Sequence, residues 1–329
     1  MTTSFDQIPV IDLAPLHDGT TAGLDQVASA IEQAYSHVGF GYLINHGVPQ
    51  PLIDGLFEAS RQFHALPRDE KMKIEVNQFH RGFIPINTST VRTSSIAKVN
   101  KPNQSESYMM MHELAADDPD VLAGAPLAGP NPWPESLPAF RRAVTAYNDA
   151  LVGLARKIVQ AISVAVGGAP TDLDAHFEQP TTFLRLLYYP PQPPQSPDDL
   201  FGSAPHTDYG FITILVQDEV GGLQVRNTDG EWLDAPYMPG AFVMNTADIL
   251  HRWSNGKLIS TPHRVINRSG QARYSNPFFF DPDMHTLVSP LPTCVSADNP
   301  ARYEPVVYGD YLMERLNKNH SQHEKRTTM

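Results

Sequence analysis

The chain from Thr181 onward is a succession of short apolar runs separated by turn residues. Runs of this length are the size of strands, and their regular spacing is typical of antiparallel sheet in a sandwich or barrel. Asp229-Gly230 predicts one hairpin turn and Ser254-Asn-Gly256 predicts another. We favour a double-sheet jelly roll, because this architecture encloses a site between its two sheets. The runs span residues 183–189, 211–216, 222–225, 242–244, 264–266 and 276–280.

The first half of the chain is dominated by helical periodicity. Its longest pattern runs from Pro138 to Val166, with apolar residues at steps of three or four. Proline suits the first turn of a helix, and Gly167-Gly168 suits its end. A helix of this length spans about 43 Å, so we expect it to run along a sheet. The sequence therefore predicts a mainly β fold with helical support, in which a long buttressing helix backs the jelly roll.

Two stretches between these parts have weaker signals. Residues 88–103 are polar and rich in Ser and Thr, which predicts a loop. The run Tyr108-Met-Met-Met111 is able to line an adaptable apolar pocket, but we interpret it as core. His46 and His64 are interpreted as structural histidines.

Charge and cysteine content exclude several classes of protein. The net charge is −12, with 24 Lys and Arg residues against 36 Asp and Glu, whereas nucleic-acid binding needs a basic surface. Cys294 is the sole cysteine, which excludes an intrachain disulfide and a cysteine-rich metal site. The N-terminal residues lack signal-peptide features, and no apolar run approaches the roughly 18 residues of a membrane span. We therefore expect a cytoplasmic protein without nucleic-acid or membrane partners.

Three residues have the chemistry of a metal site. His206 and Asp208 are two positions apart at the start of a predicted strand, so their side chains point to the same face. His263 begins another predicted strand. Two imidazoles and one carboxylate on one side of a metal form the facial set of non-haem Fe(II) oxygenases. By itself, His-x-Asp is equally compatible with a surface histidine beside a solvated aspartate.

A second pair of residues predicts a carboxylate anchor. Arg273 and Ser275 are also two positions apart on a predicted strand, so a guanidinium and a hydroxyl face the same way. Arginine suits this role because its planar donors bind a carboxylate with two hydrogen bonds. The apolar residues at 277–280 would keep water away. The motif does not say which acid is bound.

These residues carry a resemblance to the isopenicillin N synthase-like family of iron- and 2-oxoglutarate-dependent oxygenases. The resemblance covers nearly the whole chain. Its motifs are Ile-Pro-Val-Ile-Asp at 8–12, Gly-Phe-Gly-Tyr-Leu-Ile-Asn-His-Gly-Val-Pro at 39–49, Asn-Pro-Trp-Pro at 131–134, Pro-Ala-Phe-Arg at 138–141, Leu-Leu-Tyr-Tyr-Pro at 186–190, His-Thr-Asp at 206–208, Gly-Gly-Leu-Gln-Val at 221–225, Ser-Asn-Gly at 254–256, Pro-His-Arg-Val at 262–265 and Arg-Tyr-Ser at 273–275.

The resemblance implies a distorted double-stranded β-helix that binds Fe(II) through catalytic His206, Asp208 and His263. It further implies 2-oxoglutarate as cosubstrate, with its far carboxylate held by Arg273, Ser275 and Tyr189. The enzyme would use O2 to hydroxylate, desaturate or cyclise a small molecule, with succinate and CO2 as co-products and ascorbate as reductant. The resemblance divides the chain into an N-terminal α/β cap region (1–125), a buttress helix segment (126–180), the jelly-roll core (181–285) and a C-terminal extension (286–329).

Several alternatives stay open at this point. Leu187 stands where many plant relatives have asparagine beside the cosubstrate. Some members of the family are oxidases that use Fe(II) and O2 without 2-oxoglutarate, and others form ethylene and succinate. A zinc hydrolase with an activated water is a further reading of two histidines and one aspartate, and a metal-free binding jelly roll is another. Candidate substrate-pocket residues, chosen by proximity to the motifs, are Tyr209, Phe211, Leu223 and Phe279.

Overall fold

The apolar runs of the second half form strands, as the pattern predicts. The protein is described by a computed structural model that covers residues 4–91, 96 and 99–319. Its strands are β1 Val10–Asp12, β2 Phe40–Ile44, β3 Gly82–Ile84, β4 Glu106–Met111, β5 Thr181–Tyr189, β6 Ser203–His206, β7 Ile212–Gln217, β8 Leu223–Arg226, β9 Trp232–Asp234, β10 Phe242–Thr246, β11 His263–Val265, β12 Arg273–Asp281, β13 Leu287–Val288 and β14 Val306–Val307.

Helices dominate the first half and also flank the jelly roll. The α-helices are α1 Thr21–His37, α2 Gln50–His64, α3 Arg68–Met72, α4 Pro119–Ala123, α5 Pro138–Ala165, α6 Asp248–Trp253 and α7 Tyr308–Asn319. Single 3-10 turns lie at Ala14–His17, Asp174–Phe177 and Pro292–Cys294.

Two sheets form the jelly roll. The major sheet has the order β1-β2-β10-β7-β12-β5-β4-β3, and the minor sheet has the order β6-β11-β8-β9. The pairs are antiparallel except for β1 with β2, which is parallel. The N-terminal strands β1 to β4 thus extend the same sheet that carries the core strands. The predicted fold class is confirmed, while the four-segment division of the chain stays a prediction.

Helix α5 is the predicted buttress. It begins with Pro138 in its first turn and is followed by Gly167, whose φ of 87° is accessible to glycine at little cost. One face is fully buried, including Val144, Leu151 and Ile158, and packs against α1, α2 and β12. Because full burial of such a side chain stabilises the fold by about 1.5–3 kcal/mol, this face fixes the helix behind the major sheet.

The two predicted hairpin turns have different outcomes. Asp229-Gly230 does join β8 to β9, with Gly230 at a φ of 87°. The prediction for Ser254-Asn-Gly256 is wrong, because these residues end α6. The Gly256 N–H donates to the carbonyl of His251 at 2.8 Å, and Asn255 and Gly256 both have positive φ. The same residue types suit a hairpin turn and a helix end, since both need the left-handed region.

The remaining predictions about the first half concern two stretches. Tyr108-Met-Met-Met111 lies in β4, where every residue is buried, in agreement with the core interpretation, and Met109 also borders a cavity. The predicted loop at 88–103 falls partly on residues 92–95 and 97–98, outside the described residues. Within the described ranges, no helix is both long and apolar enough to cross a membrane.

Candidate metal centre and active site

Two histidines face each other across the minor sheet. His206 and His263 are direct partners in the pairing of β6 with β11, and their ring centroids are 4.3 Å apart. Each Nδ1 hydrogen-bonds a backbone carbonyl two residues earlier, at 2.7 Å to Ala204 and 3.3 Å to Thr261. A carbonyl only accepts, so the ring proton lies on Nδ1 in the neutral form. Both Nε2 atoms therefore present lone pairs to the space between the sheets.

Asp208 completes the cluster from a loop. The expectation that it shares a strand with His206 is wrong, because β6 ends at His206 and Asp208 lies in the connection to β7. Its carbonyl accepts from the N–H of Asp248 at 2.9 Å, which anchors this connection to the start of α6. The carboxylate still converges on the histidines: Oδ1 lies 3.6 Å from Nε2 of His206 and 3.7 Å from Nε2 of His263.

The other oxygen of Asp208 is held by two side chains that the motif analysis missed. Oδ2 accepts from Thr213 Oγ1 at 2.6 Å and from Asn245 Nδ2 at 2.8 Å. These contacts fix the carboxylate plane and leave Oδ1 toward the imidazoles. Thr213 lies on β7 and Asn245 on β10, whose pairing places the two residues side by side. No residue pattern around Asp208 predicts its contact with Asn245, which is 37 positions away in the chain.

Electrostatics favour the protonation states that bind a metal. Burial, followed by the neighbouring His263, lowers the pKa of His206 to about 4, so its imidazole is neutral near pH 7. Burial alone would raise the pKa of Asp208, but the two imidazoles and the Thr213 and Asn245 hydrogen bonds together lower it. One donor atom from each residue lies within 4.8 Å of the others. Two imidazole nitrogens and one carboxylate oxygen fit Fe(II) well.

A cavity of about 90 Å³ extends from this cluster between the sheets toward Arg273, and we call it the Arg273 cavity. Arg273 is fully buried and Ser275 is nearly so. The guanidinium donates from Nη1 to Ser275 Oγ at 3.0 Å, from Nη2 to Gln217 Oε1 at 3.1 Å, and from Nε to the carbonyl of Gly221. Tyr189 stacks on it, with 4.7 Å from the guanidinium carbon to the ring centroid.

Among the described residues no ion pair involves Arg273. Asp218 is close enough to interact with its charge, but both oxygens of that carboxylate accept from backbone N–H groups. Three of the five N–H groups of Arg273 are used, so Nη1 and Nη2 each keep one. The rest of the cavity wall is mostly apolar and includes Leu187, Leu215, Leu223 and Val265. A buried cation in such surroundings strongly favours an anion.

A second cavity of about 130 Å³ opens on the other side of His206 and Asp208, and we call it the Tyr209 cavity. Arg185, Ser203 and Phe279 border both cavities, as do the two metal-centre residues. The apolar part of its wall consists mainly of Met109, Phe183, Tyr209, Phe279, Leu312 and Leu316.

The four predicted substrate-pocket residues separate into three groups. Tyr209 and Phe279 line the Tyr209 cavity, whereas Leu223 lines the Arg273 cavity. The prediction for Phe211 is wrong: it is fully buried and packs in the core, 4.9 Å from Phe177 between ring centroids. Its N–H donates to Asp281 Oδ1 at 2.6 Å, which fixes the backbone at this position.

Three further residues that line the cavities were not found from the sequence. Arg185 lies on β5, where residues 183, 185, 187 and 189 alternate onto the inner face. That period, applied backward from Tyr189, would have revealed it. Leu312 and Leu316 come from α7, in a C-terminal segment without a recognisable motif.

Comparison with known proteins agrees with this geometry. Residues 8–136 match the model of the non-haem dioxygenase in morphine synthesis N-terminal family, and residues 180–282 match the 2OG-Fe(II) oxygenase superfamily. The 2-oxoglutarate-Fe(II) type oxidoreductase hxnY of Emericella nidulans is 32% identical over 311 residues, covering 92% of this chain and 88% of the relative. Homoarginine-6-hydroxylase 2-ODD-C23 of Glycine max is 33% identical over 332 residues, covering 96% and 98%.

Solved structures with bound cosubstrate are also similar. A full-length protein of Neurospora crassa in complex with alpha-KG superposes with a TM-score of 0.82 at 29% identity, over 94% of this chain and 96% of that one. JOX2 in complex with 2OG, Fe and JA superposes with a TM-score of 0.77 at 30% identity, over 93% and 84%.

The double-sheet fold, the His-Asp-His cluster and the buried arginine together define a non-haem iron oxygenase. More specifically, the chain belongs to the Fe(II)- and 2-oxoglutarate-dependent oxygenase family. It is an oxidoreductase that uses Fe(II) and 2-oxoglutarate and acts on a small molecule. This supports 2-oxoglutarate dependence over an oxidase without the cosubstrate or an ethylene-forming enzyme, and it overturns the zinc hydrolase and the metal-free binding protein.

Proposed function

We propose that Fe(II) is held by Nε2 of His206, Nε2 of His263 and Oδ1 of Asp208. The observation that supports this assignment is that these three atoms converge on one point. Every other polar atom of the three side chains takes part in a hydrogen bond. When bound with 2-oxoglutarate, the iron supplies the oxidising chemistry, which consumes O2 and yields succinate and CO2. The protein's part is to keep the His206 imidazole neutral, orient both imidazoles, fix the carboxylate and exclude bulk water.

The far carboxylate of 2-oxoglutarate is bound by Arg273 and Ser275 in the Arg273 cavity. The two N–H groups left on Nη1 and Nη2, together with the Ser275 hydroxyl, are the donors for it. Tyr189 positions the guanidinium through its ring and lies beside the bound acid. Leu187, on the same wall, contributes packing without a hydrogen bond. The family's use of 2-oxoglutarate supports this assignment, as does a buried cation that no carboxylate of the described residues contacts in an ion pair.

The substrate occupies the Tyr209 cavity, and the reaction is hydroxylation of one of its C–H bonds. Support for hydroxylation comes from the homoarginine-6-hydroxylase of Glycine max, which aligns along almost its whole length. Support for a small organic substrate comes from solved relatives that hold thymine or JA. The cytoplasmic location, ascorbate as reductant, and the lack of nucleic-acid and membrane partners stay predictions from the sequence.

Anaerobic Fe(II) titration by calorimetry tests the metal assignment. His206→Ala, Asp208→Ala and His263→Ala should each weaken iron binding strongly, and the triple variant should bind none. His285→Ala is the matched control, because this histidine is exposed and pairs with Asp120. Iron affinity equal to that of the parent protein in the triple variant would refute the assignment. Oxygen uptake with succinate quantification then reports 2-oxoglutarate use.

A further inference from the structure

Arg185 is a part-buried arginine beside the metal centre that the proposed chemistry does not use. It lies on the inner face of β5 and borders both cavities. Its Nε donates to Ser107 Oγ at 2.8 Å, which fixes the plane of the guanidinium. Within the described residues, its terminal nitrogens make no hydrogen bond and no ion pair. Burial lowers its pKa, and the groups that raise it are Tyr189 and Tyr209, neither of which is a carboxylate.

The carboxylates nearest to the Tyr209 cavity are committed elsewhere. Asp281 accepts from the Phe211 N–H with Oδ1 and from the Tyr308 hydroxyl with Oδ2, at 2.6 and 2.7 Å. Asp208 is used by Thr213, Asn245 and the metal position. Neither aspartate lies within ion-pair distance of Arg185. The protein therefore places four N–H donors and one positive charge against the cavities, without a partner among the described residues.

Given the function proposed above, the formal charges at the site can be counted to find which charged group lacks a partner. The two positive charges of Fe(II) and the one of Arg273 are balanced by the one negative charge of Asp208 and the two of 2-oxoglutarate. His206 and His263 are neutral ligands. Asp218 and Asp281 lie nearby, but within the described residues neither makes an ion pair with an arginine of the site, so Arg185 remains a cation that no carboxylate contacts. Buried charges are normally paired, because desolvation of an isolated ion is costly.

We propose that the substrate is a small monocarboxylic acid whose carboxylate binds Arg185 within the Tyr209 cavity. The planar guanidinium offers paired donors that match a carboxylate. Phe183, Tyr209 and Phe279, which line this cavity, contact the apolar body of the acid. The carboxylate is thereby fixed at one end of the cavity, and a C–H bond of the body is directed toward the metal centre. The proposal deepens the proposed function and depends on it.

The competing ligand for Arg185 is 2-oxoglutarate itself, because this arginine also borders the Arg273 cavity. The experiment separates the two by measuring cosubstrate and probe binding independently. Anaerobic calorimetry on the Fe(II) protein gives the Kd for 2-oxoglutarate. On the Fe(II) and 2-oxoglutarate complex, it gives the Kd for benzoate, phenylacetate and indole-3-acetate, for the three matching carboxamides, and for neutral thymine. Succinate release with each probe in air gives a second readout.

In the parent protein, at least one acid should bind about tenfold or more tightly than its amide, the gain expected from hydrogen bonds to a charged group. Arg185→Gln should remove this preference and leave the 2-oxoglutarate Kd within about threefold. Arg185→Lys should keep part of the preference for the acid, since it keeps the charge but loses the paired donor geometry. This variant replaces Arg185→Gln in the test if the Gln variant does not fold. The charge control is Arg142→Gln, on the exposed face of α5.

Three results would overturn the proposal. The first is that no acid binds the parent more tightly than its amide. The second is that thymine binds and depends on Arg185 as strongly as the acids do. The third is that Arg185→Gln weakens 2-oxoglutarate more than the acids, which would assign Arg185 to the cosubstrate. Failure of the proposed function has a different signature, because the parent protein would then bind no 2-oxoglutarate and release no succinate with any probe.

Discussion

Arg273 and Tyr189 face each other as direct partners across β12 and β5, with the guanidinium carbon 4.7 Å from the ring centroid. The ring covers one face of the cation, while Ser275, Gln217 and Gly221 take hydrogen bonds from its edge. Stacking orients the guanidinium but does not neutralise it. The protein's own contacts therefore orient the guanidinium as an anion site.

Arg273→Ala is expected to weaken 2-oxoglutarate binding by at least roughly 30-fold. Loss of one member of a buried charged pair costs about 2 to 5 kcal/mol, and each factor of ten corresponds to about 1.4 kcal/mol. Ser275→Ala removes one hydrogen bond to a charged group and should cost about 1.5 to 3 kcal/mol. Iron affinity should change far less in both variants. Anaerobic calorimetry measures both affinities, and oxygen uptake that ignores 2-oxoglutarate would contradict the assignment.

Thr213 and Asn245 are expected to act through Asp208. Thr213→Val and Asn245→Ala should each weaken Fe(II) binding by about 10- to 100-fold, because groups that orient a metal ligand typically contribute this much. Thr213→Ser keeps the hydroxyl that bonds Asp208 Oδ2 and is the conservative rescue. Fe(II) or Co(II) titration monitored by absorbance provides the test. Full affinity in the Val and Ala variants would show that the carboxylate needs no support.

His112 is expected to make the protein less stable in acid. Burial, followed by the charge of Arg81, lowers its pKa to about 4, against about 6.5 in an unfolded chain. Between these values the unfolded state binds more protons, so stability falls as pH falls from about 6.5 to 4, by on the order of 3 kcal/mol. Guanidinium unfolding at pH 7 and pH 4.5 measures the change. His112→Gln should reduce the slope, and an unchanged slope would exclude His112 as its source.

Cys294 is expected to be inert toward thiol reagents. It is 8% exposed, it lies against the carbonyl of Val166, and burial raises the pKa of its thiol, so little reactive thiolate forms. Activity lost in air should return with ascorbate and fresh Fe(II), and alkylation with iodoacetamide should not reduce turnover. Cys294→Ala is the control. A loss after alkylation that disappears in this variant would show that the thiol matters.

The sequence by itself determined the parts of this protein that depend on local pattern and residue chemistry. Apolar periodicity predicted α5 and the antiparallel strands, because burial of one face repeats every 3.6 residues in a helix and every two in a strand. The spacing of Arg273 and Ser275 likewise placed both on one face of β12. His206, Asp208 and His263 were recognisable because few side chains bind iron and because their motifs resemble those of a known family.

Tertiary structure alone decided how those pieces meet. Asp208 reaches the histidines from a loop, held by Thr213 and by Asn245, which is 37 residues away on another strand. Arg185 on β5 is held by a hydrogen bond to Ser107 on the neighbouring strand β4, and the two residues are 78 positions apart in the chain. Leu312 of α7 closes a cavity whose other walls lie far away in the chain. The physical reason is that these contacts join residues that are far apart in the chain. Neither the spacing of residues nor the periodicity of apolar positions indicates which distant residues will be in contact.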